Sequence, residues 1–153
     1  MQEIGKHPDL GWNRIWKGKV KPKCKFILWL LLQRKLPTSD RIIKRGGQAD
    51  PICKLCFTRP ESHSHLMANC SYSKQVWQLV QNGSGQTDLL CQGITTNIKH
   101  WWNKLLETAD NVDTIQQNQI ITYTAWNIWK KRYRSILTRQ SHHKRLWMRL
   151  CRM

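Results

Sequence analysis

CKLCFTRPESHSHLMANC, residues 53–70, gathers three cysteines and two histidines in a chain that has only six cysteines in all. Cys53 and Cys56 bracket a C-x2-C turn, His65 follows, and Cys70 comes five positions after it. Two cysteines three apart can aim both sulfurs at one point from a tight turn, and a His and Cys five apart can join them if a helix ends between. Three thiolates and an imidazole are the ligand set of a closed, tetrahedral structural zinc site, whereas calcium and magnesium prefer oxygen. Residues 53–70 are therefore read as a site for one structural Zn2+ ion with Cys53, Cys56, His65 and Cys70 as ligands.

His63 competes with His65 for the fourth position, because a loop can close either ring. Glu61 lies four residues before His65 on the expected helix, where it is placed to orient the ring's other nitrogen, and this favours His65. A redox reading of the C-x2-C calls for a β-α-β setting that the sequence does not offer. A zinc-deaminase reading needs His-x-Glu followed by Pro-Cys-x-x-Cys; here the order is reversed and a third cysteine closes the site. Cys24, Cys91 and Cys151 read as ordinary thiols.

The charge around this cluster is lopsided. The chain of 153 residues has 26 Lys and Arg against 9 Asp and Glu, a formal net charge of +17. Residues 1–50 carry twelve basic and four acidic side chains, 51–113 five of each, and 114–153 nine basic and none acidic. A neutral middle between two cationic flanks points to a polyanionic partner, most commonly nucleic acid. The plainer alternative is that solvated helix faces confer solubility.

Hydrophobic periodicity is helical throughout. Trp12, Ile15 and Trp16 suit a short first helix. Pro22 opens a second, apolar around its whole circumference from Phe26 to Leu32, which is expected to be the buried centre and to run to Pro37. Thr38 caps SDRIIKR, and Gly46-Gly47 ends it. After the cysteine loop, ESHSHLMAN and YSKQVWQLV suit two short helices, and NGSGQ at 82–86 is a flexible link. Ile94, Ile98, Trp101, Trp102, Leu105 and Leu106 follow at helical spacing. A last long helix is expected from about Asp113 to Arg139, with Trp126, Trp129, Tyr133, Ile136 and Leu137 as its stripe.

The fold class is all-α: a small zinc-stapled helical domain over residues 10–82, then a basic extension over 88–153 with two long helices. Most of the nine tryptophans read as core; Trp147, alone among arginines, is the candidate for stacking on bases. The longest apolar run, Phe26–Leu32, is far short of the roughly twenty residues a membrane helix needs. MQEIGKHPDLGW shows no apolar segment of a secretory signal, so thiols rather than disulfides, and an intracellular location, are expected.

KVKPKCKFILWLLLQRKLPTSDRIIKRG, then CKLC, ESHSHLMANC and YSKQVW, resembles the reverse-transcriptase zinc-binding domain of plant LINE-type, non-LTR retrotransposon polyproteins. The matching positions are Trp16-Lys17, Pro22 to Trp29, Leu36 to Thr38, Arg45-Gly46, Cys53, Cys56, Glu61, His65-Leu66, Cys70 and Val76-Trp77. The resemblance covers residues 12–77 and selects His65 over His63. AWNIWKKRYR at 125–134 is similar to a segment that often follows this domain, with Tyr133 replacing the usual Asn. Departures are Lys54 for a frequent Pro, Cys24 for Val, and Met67 and Ala68 for bulky aromatics.

The resemblance implies a nuclear, nucleic-acid-associated accessory piece of a reverse transcriptase polyprotein. No Tyr-x-Asp-Asp motif or carboxylate cluster for two-metal chemistry is evident, so no enzymatic activity is expected. Lys130, Lys131, Arg132, Arg134, Lys144 and Arg145, with Trp147, are the candidate nucleic-acid contacts. The rest of a reverse transcriptase is a candidate protein partner, and the apolar richness of the helices after residue 88 supports docking on it, or on a host partner, as a competing reading. A protein-interaction scaffold and a relic without selected activity are the competing readings.

Overall fold

The computed structural model describes residue 16 and residues 18–85, 95–107 and 114–137. Lys144, Arg145 and Trp147, the first helix apart from Trp16, and Ile94 lie outside the described residues. The described chain is mainly helical: α1 (Pro22–Leu32), α2 (Ser39–Lys44), a π-helical turn (His65–Asn69), α3 (Ser71–Ser84), α4 (Ile98–Glu107) and α5 (Thr114–Leu137). No strand occurs among the described residues; one isolated antiparallel bridge joins Ile52 to Pro60.

α1 starts at Pro22, whose fixed φ and missing N–H suit a first turn. It stops at Leu32, five residues before Pro37, because Arg34 adopts φ 55°. Lys35 N then donates to Leu30 O (2.7 Å) and Arg34 N to Leu31 O (3.0 Å), a Schellman closure built on a non-glycine residue. α2 ends the same way. Gly46 takes φ 80°, and Gly47 N donates to Ile42 O at 2.9 Å.

α1 is the centre of the fold on one side only. Ile27, Leu28, Leu31 and Leu32 are buried, but Phe26 is 52% exposed and Trp29 half-buried. An apolar circumference expected to be wholly covered thus leaves the Phe26 ring exposed and Trp29 only partly covered. α5 packs along α1 and α3, and α4 against α1. The link at 82–86 begins later than expected, since α3 runs through Gly83 and stops where Gly85 takes φ 67°.

One hydrophobic cluster runs from Leu28, Leu31 and Leu36 through Leu66, Met67 and Trp77 to Trp102, Leu105, Ile121 and Trp129. Described residues on both sides of the 82–86 link therefore share one core. Trp77 donates its indole N–H to Met67 O (2.8 Å) and meets Trp101 edge-on, with ring centroids 5.6 Å apart. Trp101, Trp102, Leu105 and Leu106 are buried in this core, as the reading of the tryptophans as core expects, and leave no exposed stripe on α4 for the competing scaffold reading.

The buried stripe of α5 also differs from expectation. It follows Gln117, Asn118, Ile121, Thr122, Ala125, Ile128, Trp129 and Arg132, while Trp126, Tyr133, Ile136 and Leu137 are half-buried. Trp126 and Tyr133 mark the helix edge, while Trp129 shares the buried centre with Ile121, Ile128 and polar side chains.

Candidate metal centre

Residues 51–61 fold back on themselves before the first cysteine pair can act. Cys53 N donates to Arg59 O (2.8 Å) and Glu61 N to Pro51 O (2.8 Å), closing a narrow loop around Cys53 and Cys56. Inside it Leu55 N donates to Cys53 Sγ (3.4 Å), Thr58 Oγ1 to Cys56 Sγ (3.3 Å), and Phe57 N to Cys53 O (2.9 Å). Phe57 accepts φ 57° to make this reversal. N–H and O–H groups aimed at sulfur favour the thiolate form.

His65 and Cys70 come from the π-helical turn. In an α-helix, residues five apart point about 140° away from each other. Here Cys70 N donates to His65 O at 2.7 Å, the wider i to i+5 closure, and the two side chains converge. The turn is seeded by Ser62, whose Oγ accepts from His65 N (3.1 Å) and whose carbonyl accepts from Leu66 N (2.8 Å). The sequence reading asked for a helix end between His65 and Cys70; the structure supplies a change of winding.

The four ligand atoms lie within 4.8 Å of one another. Cys53 Sγ is 3.9 Å from Cys70 Sγ, and Cys56 Sγ is 3.4 Å from His65 Nε2. Tetrahedral zinc with Zn–S about 2.3 Å and Zn–N about 2.05 Å requires S···S near 3.8 Å and S···N near 3.5 Å. The measured separations fit. Cys53 and Cys70 are fully buried, and His65 is nearly so. Four protein donors complete the tetrahedron, so a zinc ion held there supplies structure rather than an activated water.

The protonation pattern suits a cation. The Cys70 thiol is pulled down to about 3 by the hydrogen bond from Cys53, against burial and with help from His65. The same bond and burial push Cys53 up. His65 is raised, chiefly by its hydrogen bond with Cys70, with burial opposing. At Cys56 burial raises the thiol, but the Thr58 hydroxyl and backbone donors prevail and lower it.

His63 is elsewhere. Its Nε2 lies 3.0 Å from Leu36 O, pinning the loop after α1, and burial lowers its basicity. Glu61 does not orient His65. Its buried carboxylate accepts from Ser39 N (2.8 Å), Ser39 Oγ (3.2 Å) and Arg132, whose Nη2 is 2.6 Å from Oε1 and Nε 3.1 Å from both oxygens. A charge removed from water takes the strongest donors within reach, and α5 brings a guanidinium there.

Arg132 is correspondingly no phosphate contact: it is 3% exposed and also lies over the Trp129 ring at 4.9 Å. Its place on α5, seven residues after Ala125 and four after Ile128, put it on the buried stripe, a signal the sequence reading passed over. Lys131 and Arg134 are exposed and Lys130 is half-buried.

The flanks of the π-helical turn tie the centre to the later helices. Asn69 Nδ2 donates to Thr95 O (2.6 Å) while its Oδ1 accepts from Thr95 N (2.9 Å), and Ser64 Oγ donates to Thr96 O (3.1 Å). Asn97 then caps α4 by accepting from Lys99 N and His100 N. None of these partners was legible as such, because each is a short polar side chain whose use depends on what lies opposite.

No helix among the described residues is long and apolar enough to cross a membrane. The chain is 23% identical over 120 residues to a protein of Arabidopsis thaliana named "Putative ribonuclease H protein", an alignment covering 78% of this chain and 19% of the relative. It thus spans about a fifth of that relative's length. No solved structure matches. The family described as zinc-binding in reverse transcriptase matches residues 1–77, half of the chain and all four ligands; the chain belongs to that family, and Cys53, Cys56, His65 and Cys70 can hold its zinc ion.

Proposed function

We propose that this chain is a non-catalytic accessory module of a retroelement reverse transcriptase polyprotein, in which structural zinc fixes a helical scaffold that binds nucleic acid. The observation carrying this reading is the pairing of α1 and α5, two packed helices without a single Asp or Glu that between them carry Lys23, Lys25, Lys130, Lys131 and Arg134. An acid-free cationic surface attracts phosphates over a Debye length and gains from counterion release. Membership of a reverse-transcriptase zinc-binding family and a relative named for ribonuclease H support the same partner class.

Phosphate contacts bind with little regard to sequence, so recognition is broad. Of the residues expected to make them, Lys130, Lys131 and Arg134 remain, with Lys144 and Arg145 as further candidates. An intracellular, nuclear site of action follows from the reading, with the remainder of the polyprotein as protein partner.

The test is titration of the zinc-loaded chain with labelled RNA and single-stranded DNA at several salt concentrations. Affinity falling linearly in log–log coordinates is expected. No salt-dependent binding below about 100 mM, the range in which phosphate contacts dominate, would sink the proposal.

A further inference from the structure

α1 buries one side and displays another. At about 100° per residue, Phe26 and Trp29 fall opposite Ile27, Leu28 and Leu31, with Lys23 and Lys25 to either side of the aromatic pair. Phe26 is 52% exposed, and its ring stacks on that of Trp29 at 5.9 Å between centroids and 21° between planes. Lys35 Nζ lies 5.3 Å from the Trp29 centroid. Lys23 Nζ lies 5.5 Å from the centroid of Trp126, which α5 brings alongside. Lys25 Nζ donates to Trp16 O at 2.9 Å, and neither helix carries a carboxylate.

Resting on the nucleic-acid reading above, we infer that this face of α1 is where a single strand docks: the exposed Phe26 ring, backed by Trp29, offers a stacking face for a base, and Lys23, Lys25 and Lys35 take the flanking phosphates. The rings select the ligand. A base in a duplex has both faces occupied by its neighbours, whereas an unpaired base presents a free π-face, and aromatic stacking on it is sequence-tolerant. The charge selects against an apolar protein surface, which would have to strip water from three ammonium groups without supplying anions. The site lies outside the stretch from 130 to 147 in which the sequence concentrated the basic candidates.

The experiment uses the full, zinc-loaded chain, a labelled 20-nucleotide single strand of RNA and a duplex of the same sequence. Phe26 is exposed, so Phe26→Ala should keep zinc content and helical circular dichroism. It is expected to weaken single-strand binding by about five- to a hundredfold, the effect of losing a stacked base, with duplex affinity unchanged. Phe26→Trp should retain the affinity. The triple change Lys23→Gln, Lys25→Gln, Lys35→Gln should lower the single-strand log–log salt slope by about 2. If the unaltered chain binds but Phe26→Ala binds single strands as well as it does, or loses duplex binding equally, the face is not the docking site, although the module still binds nucleic acid. If the unaltered chain shows no salt-dependent binding, the broader reading fails and this one with it.

Discussion

Arg132 and Glu61, 71 residues apart in sequence, form a buried ion pair in which the guanidinium approaches both carboxylate oxygens. Glu61 lies in the loop that leads from the cysteine pair into the π-helical turn, and Arg132 lies on α5. The pair therefore fastens the metal-binding segment to the C-terminal helix.

Breaking the pair from one side leaves a buried charge alone. Arg132→Met or Glu61→Ala is expected to destabilise the zinc-loaded chain by about 3–5 kcal/mol, while the double change to apolar residues costs much less. Urea unfolding of the two single variants and the double variant measures this. Because Glu61 does not face His65, zinc stoichiometry should survive in Glu61→Gln. A variant that lost zinc at native stability would restore a role for Glu61 beside the metal.

The two histidines should separate cleanly. His65→Ala is expected to abolish stoichiometric zinc, as is Ser at Cys53, Cys56 or Cys70. His63→Ala should keep zinc and lose roughly 1–3 kcal/mol through the lost hydrogen bond to the Leu36 carbonyl, which still accepts from Thr38 N, and the space left behind. Atomic emission on purified variants decides the ligand. Thermal unfolding decides the cost.

Zinc must displace protons, and the cluster says which. Cys70, held at about 3, is already a thiolate at neutral pH, whereas Cys53 is raised and gives up a proton on binding. The raised His65 gives up another below its own pKa. Protons therefore compete more strongly as pH falls, and affinity should weaken at least roughly tenfold per unit between pH 8 and 6. Competition with a chromophoric chelator at three pH values checks the sign and the slope. A flat profile would contradict the assignment of Cys53 as a thiol in the metal-free chain.

Much of this was readable from residue types at fixed spacing. The ligand set, the start of α1 at Pro22, the Gly46 stop and the all-helical class each follow from local chemistry that needs no knowledge of the far side of the molecule. What escaped depends on neighbours distant in sequence. Glu61 looked like a partner for His65 because both lie on one short segment, but α5 delivers Arg132 to it. Phe26 looked buried because apolar residues encircle α1, yet its ring is half exposed. The end of α1 escaped for another reason: Arg34 takes a left-handed conformation usually left to Gly or Asn.

Arg34 offers a test of that local account. At φ 55° a residue with a Cβ is strained, and Gly is not. Arg34→Gly should stabilise the chain by roughly 0.5–1 kcal/mol, the difference between relieved strain and added freedom of the unfolded chain. Chemical denaturation gives the answer. Destabilisation would mean that the Arg34 side chain contributes more than its backbone costs.

The central claim is that four side chains of this chain close around one zinc ion. X-ray absorption at the zinc edge on the purified, stoichiometrically loaded chain reads that shell directly. Three sulfurs at about 2.3 Å and one nitrogen at about 2.0–2.1 Å are expected, without a bound water. A shell with fewer than three sulfurs, or with a solvent oxygen in it, would contradict the closed Cys53, Cys56, His65, Cys70 centre.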